Sequence, residues 1–99
     1  MMRPEFHPEA LAEYEDAVDR YEKQKLGLGF KFIKAVEVAI SKIVDTPDRW
    51  RVIDGGEIRR VLTRVFPCGV LYTIEADYVL IVAVAHCSRK PGYWKDLLN

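Results

Sequence analysis

The 99-residue sequence lacks an excess of charge of either sign, since 15 Lys and Arg balance 15 Asp and Glu. A strong non-specific nucleic-acid binder carries a large positive surplus, and this balance counts against that class. Long hydrophobic runs are absent too. The longest, Val79 to Ala85, is seven residues, far short of the roughly 18 that a membrane helix needs. The opening Met1-Met2-Arg3-Pro4-Glu5 has no apolar stretch of the signal-peptide kind, so the expected location is cytoplasmic. Cysteine is scarce. Cys68 and Cys87 form neither a disulfide framework nor a zinc-ligand spacing, and both read as reduced, structural thiols. His86 and Cys87 are neighbours on a strand and point to opposite faces, which separates them as ligands for one metal. No metal and no cofactor is expected.

What is present is a folding composition: 49% hydrophobic and 11% aromatic residues. That rules out disorder and fits one domain spanning 1–99. The charge balance hides a polarity. Residues 1–48 hold 7 Lys and Arg against 10 Asp and Glu, a net −3; residues 49–99 hold 8 against 5, a net +3.

A short strand is predicted over Arg3 to Phe6, followed by a helix over residues 8–25. Pro8 suits a first helical turn, and Leu11, Tyr14, Val18 and Tyr21 form a 3-4-3 stripe. The other face carries Glu9, Glu13, Glu15, Asp16, Asp19 and Glu22, read as solubilising surface. Gly27 and Gly29 permit a tight reversal. A second helix over 29–45 follows from the stripe Phe30, Ile33, Val36, Ile40, Ile43 and Val44, and it stops before Pro47. The second half changes to the period of strands, although the apolar residues of 58–66 do not segregate to one face and leave the buried side unassigned. Trp50 to Ile53 and Ile58 to Phe66 flank the turn Asp54-Gly55-Gly56-Glu57, and Pro67-Cys68-Gly69 ends that run. Strands are then predicted at Val70 to Ile74 and Tyr78 to His86. The unbroken apolar stretch of the last marks a central strand covered on both faces. A short C-terminal helix is expected after Pro91. The order, β-α-α-β-β-β with a C-terminal cap, is an α+β fold with a helical hairpin packed on a mostly antiparallel twisted sheet.

No standard enzyme motif appears. Gly27-Leu28-Gly29 joins two helices and lacks the preceding strand of a dinucleotide loop. The chemistry-bearing side chains gather after the long last strand: His86, Arg89, Lys90, Tyr93 and Trp94. An imidazole transfers protons near neutral pH, a guanidinium clamps phosphate, and aromatic rings stack on bases or anchor a partner. Each residue type also has a structural use at a core edge.

Five ordered stretches carry a resemblance: Glu5 to Ala10, Leu26 to Gly29, Ile58 to Leu62, Phe66 to Tyr72, and Val84 to Trp94. Together they make the chain similar to the RelE/ParE superfamily of type II toxin–antitoxin toxins, of the plasmid-stabilisation type. The resemblance implies a small toxin neutralised by a cognate antitoxin, as a homodimer or as a heterotetramer with it. RelE-like members cut mRNA on the ribosome with a basic set and a C-terminal tyrosine. ParE-like members bind DNA gyrase and do no chemistry themselves. Where the nucleases carry a basic residue ahead of the aliphatic pair and tyrosine, this chain has Gly69, then Val70-Leu71-Tyr72; a second expected arginine falls near Cys87. Cleavage needs cations to stabilise charge developing at phosphorus, so the ParE-like branch is favoured. That reading places target binding on Arg59, Arg60, Arg64, Arg89, Lys90, Tyr93 and Trp94. The alternative nuclease would use Arg60, Arg64, His86, Arg89 and Tyr93 on ribosome-bound mRNA. A remnant that only binds antitoxin is the third reading.

Overall fold

A computed structural model describes residues 2–86. The element order is β1 (Arg3–Phe6), α1 (Pro8–Gln24), α2 (Leu28–Asp45), β2 (Arg51–Asp54), β3 (Ile58–Leu62), β4 (Cys68–Ile74) and β5 (Tyr78–His86). The expected C-terminal helix lies outside the described residues.

Both helices start where local chemistry allows. At α1 the His7 imidazole accepts a hydrogen bond from the Glu9 amide at 3.1 Å, and Pro8 fills the first turn, where an amide would have no partner. At α2 the residue before the helix is Gly27, with φ +88°, a left-handed conformation that glycine adopts without strain. Glycine has no side chain to cap the helix. Glu22 of α1 supplies the missing acceptor, taking the Gly27 amide at 3.0 and 3.1 Å and the Gly29 amide at 3.0 Å. Glu22 is therefore a cap rather than part of the solubilising face assigned from sequence. Glu13 is a second exception, because it accepts the Val84 amide of β5 at 2.9 Å.

The buried stripe of α2 is also rotated from the expected one. Gly29, Phe32, Val36, Ala39 and Ile43 are buried, while Phe30 is 62% exposed. The rotation follows from close helix contact at Gly29, where a Cβ would lie 2.9 Å from the Val18 carbonyl oxygen. It also seats Phe32 among the rings of Tyr14, Tyr21 and Phe66, at centroid distances of 6.0, 4.9 and 5.2 Å. On α1 the buried residues are Ala10 and Ala17, and Leu11 stays largely exposed.

The sheet order is β1-β5-β4-β3-β2. β1 runs parallel to β5, and the other neighbours are antiparallel. Four strands follow the hairpin, because the 51–54 arm pairs as a strand in its own right. The helices cover one face, against Val61, Cys68, Val70, Tyr72, Val79, Ile81 and Val84. The opposite face also buries side chains, namely Ile58, Leu71, Val82, Ala83 and Ala85. A register shift between Leu71 and Tyr72 leaves Val82 and Ala83 together on that second face. β5 is the covered central strand expected from its composition.

The main departure from the predicted strands lies between β3 and β4. The predicted 58–66 strand ends at Leu62, and β4 begins at Cys68 rather than Val70. Thr63 turns the chain: its hydroxyl donates to the carbonyls of Phe66 and Cys68 at 2.9 and 3.0 Å, and its amide donates to Cys68 at 2.9 Å. Within this loop Val65 adopts φ +74°. Among the described residues no helix is long and apolar enough to cross a membrane.

Candidate functional site

The three arginines assigned from β3 and its following loop stand in three different surroundings. Arg59 faces the helix side, where its guanidinium donates to the carbonyls of Asp48 and Trp50 at 3.0 and 2.7 Å. It ties β3 to the connection after α2, alongside the Tyr72 hydroxyl, which donates to the Pro47 carbonyl. Burial pushes the Tyr72 phenol up to about 12; Arg59 opposes the rise and Asp48 adds to it.

Arg60 lies on the opposite face of the sheet. Its stem runs across Gly69: a Cβ built there would meet Arg60 Cδ at 3.1 Å and Cγ at 3.2 Å. Arg64 is exposed in the β3–β4 loop and turns toward α2, where it borders a groove with Lys31 and Lys34. Geometry therefore brings Arg64 together with two lysines of the acidic half of the sequence rather than with Arg59 and Arg60.

His86 ends β5 on the helix side, directly opposite Cys68 in the β4–β5 ladder. A cavity of about 380 Å³ lies between these strand ends and α1, and Glu13, Arg20, Tyr21, Cys68 and His86 contribute to its wall. The buried Cys68 sulfur is 3.9 Å from the Tyr21 hydroxyl, and Arg20 pairs with Asp16 at 3.6 Å. Among the described residues no group of three or more His, Cys, Asp and Glu side chains is placed to hold a metal ion. Arg89, Lys90, Tyr93 and Trp94, with Cys87, lie outside the described residues.

Several features had no sequence signal. The hydrophobic exposure is concentrated around the start of α2 and the β3–β4 loop: Leu26 is 90% exposed and Val65 97%. Leu26 lies between the two predicted helices, and Val65 falls in the predicted 58–66 strand, whose alternation gives no sign of this exposure; both lie outside the observed helices and strands.

A helical hairpin on one face of a five-stranded mixed sheet, with β1 parallel to β5, places the chain in a distinct α+β architecture. A solved structure described as the chromosomal ParDE TA system from P. aeruginosa shares it, at a TM-score of 0.66 and 16% sequence identity. The likeness covers 87% of this chain and 96% of that one. Residues 5–91 match the family described as ParE toxin of type II toxin-antitoxin system, parDE, and the chain belongs to that family. No curated protein matches it.

Proposed function

We propose that this toxin inhibits DNA gyrase by binding it, performs no chemistry of its own, and is neutralised in the cytoplasm by a cognate antitoxin. Membership of the ParE family supports the gyrase branch over the ribosomal nuclease. The observation that carries the choice is Gly69 beneath Arg60. A ribosomal nuclease of this superfamily needs a cation on that strand, and here the space a side chain would take is filled by the stem of a neighbouring arginine. Arg59, assigned to target binding from the sequence, is committed to two backbone carbonyls and is left out of the proposed contact set. Arg60 and Arg64, with Arg89, Lys90, Tyr93 and Trp94, are the residues proposed to touch the target.

Two assays separate binding from RNA cleavage. Purified protein is expected to block supercoiling by gyrase, and translating mRNA is expected to show no codon-phased cuts by primer extension after induction. Cuts that depend on Arg60 and Tyr93, with supercoiling untouched, would establish the nuclease instead. Loss of both effects in an antitoxin-binding protein would mark a remnant.

A further inference from the structure

β5 outruns its neighbour on one side. β1 pairs with it from Tyr78 to Ile81, and beyond that ladder the His7 amide donates to the Ile81 carbonyl at 2.9 Å. Among the described residues no strand lies on the β1 side of residues 82–86. The register shift opposite Leu71 and Tyr72 falls at the same place, and an extra residue of that kind bends a strand and increases its twist. From Ala83 opposite Leu71 to His86 opposite Cys68, the end of β5 is held in the sheet by β4 alone. An amide on the open side of such a strand costs free energy when it is shielded from water without an acceptor.

Glu13 supplies that acceptor from 71 residues away, its carboxylate taking the Val84 amide at 2.9 Å. Ala10 and Ala17 are buried and stand three residues before and four after Glu13, on the same face of α1. Small side chains at those two places let the helix approach β5 closely enough for a glutamate to reach its backbone. A carboxylate holds an amide about twice as strongly as a neutral acceptor does. Glu13, Val84 and His86 also share the wall of the 380 Å³ cavity, so α1 and the end of β5 meet around one hydrogen bond.

That end of β5 is where the basic segment begins. Arg89 follows His86 by three residues, and Trp94 follows it by eight. At about 3.6 Å per residue, the Arg89 backbone can be no more than about 11 Å from that of His86. Such a short connection has little slack to absorb a shift of the strand end. We propose that Glu13 is a positioning residue for target binding: by holding the Val84 amide it fixes the end of β5, from which the chain continues to Arg89, Lys90, Tyr93 and Trp94. The proposal rests on the gyrase-binding reading and gives a residue of the helical hairpin a part in it.

The test measures inhibition of gyrase supercoiling by the full chain and its Glu13 variants, with amide hydrogen exchange followed by NMR in the same proteins. Glu13→Ala is expected to raise the half-inhibitory concentration about tenfold. It should also speed exchange at Val84 about tenfold and leave Val79, which is paired on both sides, unchanged. Glu13→Gln keeps an acceptor oxygen at the same reach and is expected to stay within about threefold of the wild type. Glu13→Asp keeps the charge on a shorter stem and should resemble alanine. That order separates reach from charge. Glu22→Ala loosens the hairpin without touching β5. Assayed well below its melting temperature, it is expected to inhibit within about twofold of the wild type, which separates positioning from lost stability. Wild-type inhibition by Glu13→Ala, or an equal loss in Glu22→Ala, would overturn the positioning role and leave the gyrase reading standing. Glu13→Gln as weak as Glu13→Ala would overturn the hydrogen bond as its means. No inhibition by the wild-type chain would overturn both readings.

Discussion

Replacing Glu22 with alanine tests how the helical hairpin is held. In the folded chain its carboxylate accepts the Gly27 and Gly29 amides at 3.0–3.1 Å, at the start of a helix whose preceding residue has no side chain. Loss of a side-chain cap costs about 0.5–2 kcal/mol. Removing negative charge from a helix N-terminus adds about 0.3–1 kcal/mol. The higher helix propensity of alanine returns a few tenths of a kcal/mol. Glu22 is only partly buried, so water takes up some of the lost bonding, and a net destabilisation of about 2 kcal/mol is expected. For a chain of this size that lowers Tm by roughly 8–16 °C. Thermal unfolding followed by far-UV circular dichroism measures it, with Glu15→Ala as reference. Glu15 is exposed on the same helix and makes no hydrogen bond or ion pair among the described residues, so its removal should change stability by less than about 0.5 kcal/mol. Glu22→Gln, which keeps one acceptor oxygen and loses the charge, should fall between the two. A Glu22→Ala chain that melts with Glu15→Ala would refute the cap.

Tyr72→Phe removes the hydroxyl that donates to the Pro47 carbonyl and should cost about 1 kcal/mol, read by urea unfolding at neutral pH. The folded phenol titrates at about 12 against an ordinary 10.0, so the protonated form favours the fold. Its contribution is intact below pH 10 and is lost as pH rises toward 12, and Tyr72→Phe should flatten that limb of the stability profile. Two glycine substitutions should differ in sign or size. Gly29→Ala sets a Cβ 2.9 Å from a backbone oxygen of α1 and should destabilise by about 1–2 kcal/mol, whereas Gly69→Ala meets only the flexible stem of Arg60 and should stay within about 1 kcal/mol. Equal melting temperatures for the two would contradict the account of close helix contact.

The parts of the fold that follow from repeating local rules were legible. Pro8 and Pro47 bracket the hairpin, Gly27 makes its reversal, and the apolar run of β5 marks a central strand. What could not be read depends on contacts between distant residues. The stripe of α2 is set by how closely Gly29 approaches Val18, and by the seat of Phe32 between Tyr21 and Phe66. Alternation through Arg59, Val61, Thr63 and Val65 looks like a continuing strand, but the Thr63 hydroxyl bonds across to Phe66 and Cys68 and closes a loop instead. The arginines were ambiguous for a related reason. Because the sheet buries residues on both faces, alternation does not say which of Arg59 and Arg60 is spent on structure, and Arg64 leaves the strand altogether. Family resemblance carried the toxin reading where single residues did not, and the family match over residues 5–91 agrees with it.

The charge polarity read along the chain also changes form in three dimensions. Lys31 and Lys34 belong to the net-negative half, yet they join Arg64 of the net-positive half at one groove. Glu13 and Glu22, counted with the acidic face, satisfy backbone amides of β5 and α2. Charge in this chain is sorted by local task more than by segment.

The most direct test of the central claim is a titration of gyrase supercoiling with the purified toxin at fixed gyrase concentration. Inhibition by binding should rise with the toxin-to-gyrase ratio, reach completion near a fixed stoichiometry, stay constant in time once formed, and be reversed by the antitoxin. Full supercoiling at a large molar excess of toxin would contradict the account.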